Sequence, residues 1–139
     1  MDQSAEPPIA LHIDFTEPIR LAGYALLKHD TTWEVDLWWK TSGMLVEDYH
    51  VFVHLIGADG ALSNGASPNS NLVAQHDHIA GADAYPTSYW PPGTFLRDRF
   101  FLNVPGGVCE DCVLRIGLYT ETERLPLRNS EDHVEIVVE

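Results

Sequence analysis

The chain predicts an all-β fold: an antiparallel β-sandwich of jelly-roll or immunoglobulin-like type, with about eight strands. Three observations point there. Two-residue alternation of apolar and polar side chains recurs along the chain. The i, i+3, i+4 spacing of an amphipathic helix is missing nearly everywhere. Pairs and triplets of Asp, Asn, Gly and Pro punctuate the alternating runs.

Ile9 to Phe15 is the first expected strand, ended by Glu17-Pro18. Ile19 to Lys28 follows, with Gly23 a bulge or a point of close backbone approach. His29-Asp30 turns the chain into Thr31 to Thr41. Here Trp33, Val35, Leu37 and Trp39 share the core face, and Glu34, Asp36, Trp38 and Lys40 the other. After a loop at 43–48, Tyr49 to Ile56 is apolar on both faces and is expected to be central in its sheet. Ala58-Asp59-Gly60 is a turn signal, and 63–71, rich in Ser, Asn, Gly and Pro, an extended surface loop. Leu72 to Asp77 returns as a short strand, and 81–93 is a long irregular connection. Phe95 to Val104, Val113 to Thr120 and Val134 to Val138 complete the set, with Pro105-Gly106-Gly107 a turn.

The 139 residues fit one domain spanning 1–139, with residues 1–8 a flexible lead. A hydrophobic content of 45% supplies a core, so disorder is not expected. Twenty-one acidic residues against eight basic ones give a net charge of −13, which repels phosphate backbones and anionic lipid and argues against nucleic-acid binding. The acids are scattered, as in a solubilising surface; a cation site built from a few of them is the lesser alternative. No run approaches the ~20 apolar residues of a membrane helix, so no direct membrane insertion is expected. The opening MDQSAEPPIAL lacks the regions of a signal peptide and suits a domain cut from a longer chain.

Several motifs occur in a fixed order. They are Ile19-Arg20-Leu21-Ala22-Gly23-Tyr24, Trp38-Trp39, Val51 to Leu55 with Asp59-Gly60, and Leu72 to Asp77. Tyr85 to Ser88 with Trp90, Pro92-Gly93, Arg97-Asp98, Arg115 to Tyr119 and Arg124 to Pro126 continue the series. This stretch, from about Ile19 to Pro126, resembles a β-sandwich domain found at the C-terminal end of bacterial membrane glycosyltransferases of the dolichyl-phosphate-mannose-mannosyltransferase-like class, and in related proteins. The resemblance implies a non-catalytic accessory domain, carbohydrate-binding-like, on the extracytoplasmic side of a bacterial membrane as part of a larger protein. Its implied partners are a glycan or the rest of a membrane-anchored chain, with no cofactor. Two departures stand out: 63–71 resembles an insertion, and the turn before the Arg115–Tyr119 segment carries Cys109 and Cys112.

Cys109 and Cys112 form a CxxC. With only two cysteines no zinc ribbon is possible within the chain, and a redox site would open a helix where this pair precedes a strand. A disulfide locking a turn, or two inert thiols, is the favoured reading, ahead of a metal half-site and of redox activity. His54, His76 and His78 form a second set. His76 and His78 share a strand face and, with Asp77 or Asp98, are weak candidates for a divalent metal. Hydrogen bonding to a neighbouring loop is favoured over ligation. Trp38 and Phe52 lie opposite their strands' core faces, and Tyr85, Tyr89 and Trp90 crowd one loop, as in surfaces that stack sugar rings. The favoured alternative for each is packing.

No catalytic signature is present, and Glu34 with Asp36 is expected to be a pair of solvated strand positions. A bound ligand is expected at or just in front of Trp38, His54, His76, Tyr85, Trp90 and Asp98. The alternative function is a structural protein–protein interaction domain with no sugar binding, and an enzyme ranks behind both.

Overall fold

The computed structural model describes residues 3–4, 7–57, 72–80, 86–109 and 111–138. The turn expected at Asp59-Gly60, the loop 63–71 and the candidate Tyr85 lie outside the described residues. Among the described residues nine strands run in chain order: β1 (Gln3–Ser4), β2 (Ile9–Asp14), β3 (Ile19–His29), β4 (Thr32–Thr41), β5 (His50–Ile56), β6 (Leu72–Ile79), β7 (Phe95–Asn103), β8 (Val113–Tyr119) and β9 (Val134–Val137). Short 3-10 turns occupy Thr87–Tyr89 and Pro105–Gly107. β2 to β9 are the strands that the alternation predicts, each within a residue or two.

The strands form two antiparallel sheets, ordered β1-β7-β4-β3-β2 and β6-β5-β8-β9. Hairpins join β2, β3 and β4, join β5 to β6, and join β8 to β9, while β4–β5, β6–β7 and β7–β8 cross between sheets. β7 therefore lies beside β4, and β8 beside β5. This is the immunoglobulin-like Greek key: β3, β4 and β7 take the places of strands A, B and E, and β6, β5, β8 and β9 those of C′, C, F and G. Of the two expected sandwich types, the jelly roll is set aside.

The core lies between the sheets. Trp33, Val35, Leu37 and Trp39 of β4 meet Val51, Val53 and Leu55 of β5 and Leu114, Ile116 and Leu118 of β8 in one buried cluster. β5 is central, as its two apolar faces predict. Asp36 and Glu34 are not the solvated pair expected. Asp36 is buried because Arg99, its register partner on β7, donates to both its carboxylate oxygens at 3.0 and 3.4 Å, and Arg99 also reaches Glu34 at 3.3 Å. A buried carboxylate persists when paired and hydrogen-bonded in this way.

The N-terminal lead, expected to be flexible, contributes structure. Gln3–Ser4 pairs with Phe95 and Leu96 of β7 at one edge of the five-stranded sheet, and β2 pairs with β3 at the other. Pro7 sits against Gly23, where a Cβ would overlap the proline ring and the Ile9 carbonyl. Gly23 is thus the close-approach point its position predicts, with a bulge immediately before it.

Candidate functional site

His76 and His78 project from β6 toward the sandwich interior, because their register partners Val53 and Val51 do. There they meet β7 of the other sheet. His78 stacks on Phe100 at 4.1 Å, and its Nε2 lies 2.9 Å from Asp98 Oδ1. The Phe101 backbone N–H donates to His76 Nδ1 at 2.9 Å, and His76 Nε2 is 3.3 Å from His78 Nδ1. A backbone N–H can only donate, so His76 Nδ1 accepts and its Nε2 carries the proton. His78 Nδ1 then accepts, and His78 Nε2–H donates to Asp98. All four ring nitrogens are committed to one chain of hydrogen bonds, leaving no lone pair for a metal. Among the described residues no group of three or more His, Cys, Asp or Glu side chains is placed to hold a metal ion. His76 and Asp98, expected at a ligand site, instead join the two sheets at an edge.

Trp90 and Trp38 are also withdrawn from the surface. Trp90 belongs to the core cluster. It is held there by the Thr87–Tyr89 turn, whose anchor is Thr87: its Oγ1 accepts the Tyr49 N–H at 3.0 Å and donates to the Glu47 carbonyl at 2.6 Å. This fully buried hydroxyl ties the 86–90 segment to the β4–β5 loop and closes one end of the sandwich. Trp38, on the outer face of the five-stranded sheet, is only 4% exposed and pairs in register with Gly23, against which Pro7 packs. Trp33, Trp38, Trp39 and Trp90 are all buried, so no indole face is open to stack on a sugar.

The remaining candidate, His54, lies elsewhere: on the outer face of the four-stranded sheet. β5 presents His50, Phe52 and His54 outward. Gly117 of β8 lies beneath the Phe52 ring, where a Cβ would overlap ring carbons. The turn after β8, closed by Thr120 N–H to the Glu123 carbonyl at 2.8 Å, returns Arg124 over the same ring at 4.4 Å. Phe52 is therefore buried although it faces away from the core. Tyr119 stacks on His50 at 5.1 Å and donates to Asp77 Oδ2 at 3.4 Å.

Phe52, His54, Asp77, Tyr119, Arg124 and the turn 120–123 between them line a shallow hollow of 340 Å³. Asp77 Oδ1 lies 3.4 Å from His54 Nε2, within ion-pair reach, but that buried nitrogen makes no well-aligned hydrogen bond among the described residues. Burial holds the His54 imidazole below its ordinary pKa, more strongly than Asp77 pulls it up, and Arg124 and Arg115 add to the depression. Burial, then Asp77, raises the Tyr119 hydroxyl. The hollow thus offers a ring nitrogen without a well-aligned hydrogen bond, the carboxylates of Asp77, Glu121 and Glu123, a phenol and a guanidinium. Sequence reasoning found His54 and the outward Phe52 and named Asp77 only as a metal partner of His76 and His78, while Tyr119 and Arg124 join them only through strand pairing and the turn after β8.

Cys109 and Cys112 form a disulfide, the first of the readings their spacing allows; Cys112 is buried in the core cluster. No family model, no curated protein and no solved structure matches the chain.

Proposed function

We propose that this chain is a non-catalytic accessory domain that binds a polyol ligand, a segment of glycan, on the outer face of its four-stranded sheet. The observation that supports this most is His54 Nε2, a buried nitrogen that, beyond the 3.4 Å approach of Asp77, has no hydrogen bond among the described residues. It borders a hollow that also holds Asp77, Tyr119 and Arg124. A buried polar atom is costly to leave unpaired, and a ligand hydroxyl is the group that satisfies it. The position within a larger membrane-anchored glycosyltransferase, on the extracytoplasmic side, belongs to the same proposal. It draws on the motif resemblance and on a disulfide, which persists in oxidising compartments.

Because the indoles are buried, tryptophan fluorescence is a poor reporter for this site. Heteronuclear NMR titration with a panel of oligosaccharides is the direct test. Binding shifts the amides of Phe52, His54 and Tyr119, and His54→Ala removes the shifts while the rest of the spectrum persists. A panel that leaves these amides unmoved, or a His54→Ala variant that responds like the parent, overturns the reading.

A structural protein–protein interaction domain with no sugar binding is the second reading, favoured by the burial of all four tryptophans. Met44, Val46 and Tyr89, exposed on the two loops that Thr87 ties together, are then the natural contact residues. Association lost in Val46→Ser and Tyr89→Ser variants, with no response to sugars, would establish it.

A further inference from the structure

Eight Lys and Arg residues serve a chain with 21 Asp and Glu, so a place where cations gather stands out. Arg20, Lys40 and Arg128 line one pocket of 380 Å³ at the end of the five-stranded sheet, with Phe15 among its walls. Only two carboxylates, Asp14 and Glu17, line it with them. Arg20 and Lys40 are direct register partners on β3 and β4, a like-charge pairing that ordinarily weakens a sheet. Asp14, the register partner of Arg20 on β2, neutralises Arg20 through contacts of 2.7 and 3.5 Å.

Lys40 has no carboxylate in salt-bridge contact among the described residues, and Arg128, which forms no salt bridge either, stands near enough to Asp14 to help hold that carboxyl below its ordinary pKa. Lys40 Nζ lies 4.9 Å over the Phe95 ring, and Arg128 Nε donates to the Phe15 carbonyl at 3.3 Å. A second observation is independent of charge. Thr41 lines the same pocket, is 2% exposed, and its buried Oγ1 has no hydrogen-bond partner. The pocket thus presents Lys40 without a carboxylate in contact, Arg128 sharing Asp14 with Arg20, and a buried hydroxyl with an unmade bond, in a volume within the range of small-ligand sites.

We propose that this pocket binds a small oxyanion-bearing ligand, a carboxylate, phosphate or sulfate group, with Lys40 and Arg128 supplying the charge and Thr41 Oγ1 donating to an oxygen. The site is separate from the outer-face hollow, since no lining residue is shared. An acidic sugar and a free inorganic oxyanion present the same group, and the test separates them.

The full chain is titrated at constant ionic strength with sodium sulfate and, separately, with sodium glucuronate, against a sodium chloride reference, and followed by NMR. Saturable shifts confined to Asp14–Arg20, Lys40–Ser42 and Arg128 are expected. Saturation by sulfate assigns a plain oxyanion site, and saturation by glucuronate alone assigns an acidic sugar. Lys40→Gln weakens binding about tenfold, the scale of one charge-assisted hydrogen bond. Thr41→Val weakens binding while the thermal midpoint stays level or rises, because the unpaired hydroxyl is gone; this variant decides the matter if Lys40→Gln folds poorly. Shifts that chloride reproduces, or variants that bind like the parent, overturn the proposal. The outcome is independent of whether glycans perturb Phe52, His54 and Tyr119.

Discussion

His78 Nε2 donates to Asp98 Oδ1 across 2.9 Å, and with that contact β6 of one sheet is joined to β7 of the other. The carboxylate is fully buried and the imidazole nearly so. Removing the donor takes a hydrogen bond from a fully buried carboxylate, which is costlier than losing a surface pair. His78→Ala should lower stability by about 2–4 kcal/mol in urea unfolding. His76→Ala, which frees only the Phe101 N–H and one imidazole contact, should cost about 1–2 kcal/mol. Equal, small losses for both would show that the chain of hydrogen bonds does not join the sheets.

Gly117 is a packing requirement of the outer face. Gly117→Ala drives a methyl into the Phe52 ring, and also brings it 3.2 Å from the Asp132 carbonyl. A cost of about 1–3 kcal/mol is expected. NMR should show displacement of the Phe52 and Arg124 side chains, with the interior residues Val53 and Ile116 unchanged. An unperturbed Phe52 ring contradicts the packing described.

Acidification should weaken the fold in two separate windows. His54 has a folded-state pKa below its ordinary value near 6.5, so between the two the unfolded chain binds the extra proton. Stability from His54 is therefore complete above about pH 6.5 and falls as pH drops through that value. Asp14, held down chiefly by its Arg20 hydrogen bond, Asp132 by His133 and Glu135 by Arg115, contribute in the carboxylate range instead. Their stabilisation is present above the ordinary carboxylate values and is lost below them; all three are partly exposed, so the effect is small. The denaturation midpoint measured from pH 8 to 5 should decline, and His54→Gln should flatten the decline. A slope unchanged in that variant removes His54 as its source.

The Cys109–Cys112 disulfide closes a very short loop, so its reduction should cost about 2 kcal/mol. A lower thermal midpoint in the presence of a reductant, and absence of free thiols in denatured, unreduced protein, are the expected readouts. Two titratable thiols in protein prepared without reductant would contradict the pairing.

The two-residue alternation by itself determined the strands and their faces. Trp33, Val35, Leu37 and Trp39 are inward because side chains two apart share a face, and only an apolar set can occupy the interior. The CxxC spacing admitted a disulfide and the Gly23 position a close approach, each a local property of chain chemistry. Which sheet each strand joins was not legible, since pairing partners are separated by tens of residues and several registers satisfy the same pattern. For that reason the histidines divided in a way no spacing revealed. His54, with Phe52, faces outward from β5, whereas His76 and His78 turn inward onto Phe100 and Asp98. Alternation put Trp38 on the outward face, and the packing favoured for it there is decided only by the pairing with Gly23 and the approach of Pro7. The hollow around Phe52 and the pocket shared by Arg20, Lys40, Thr41 and Arg128 likewise exist only after pairing, when side chains far apart in sequence are held a few ångströms from one another.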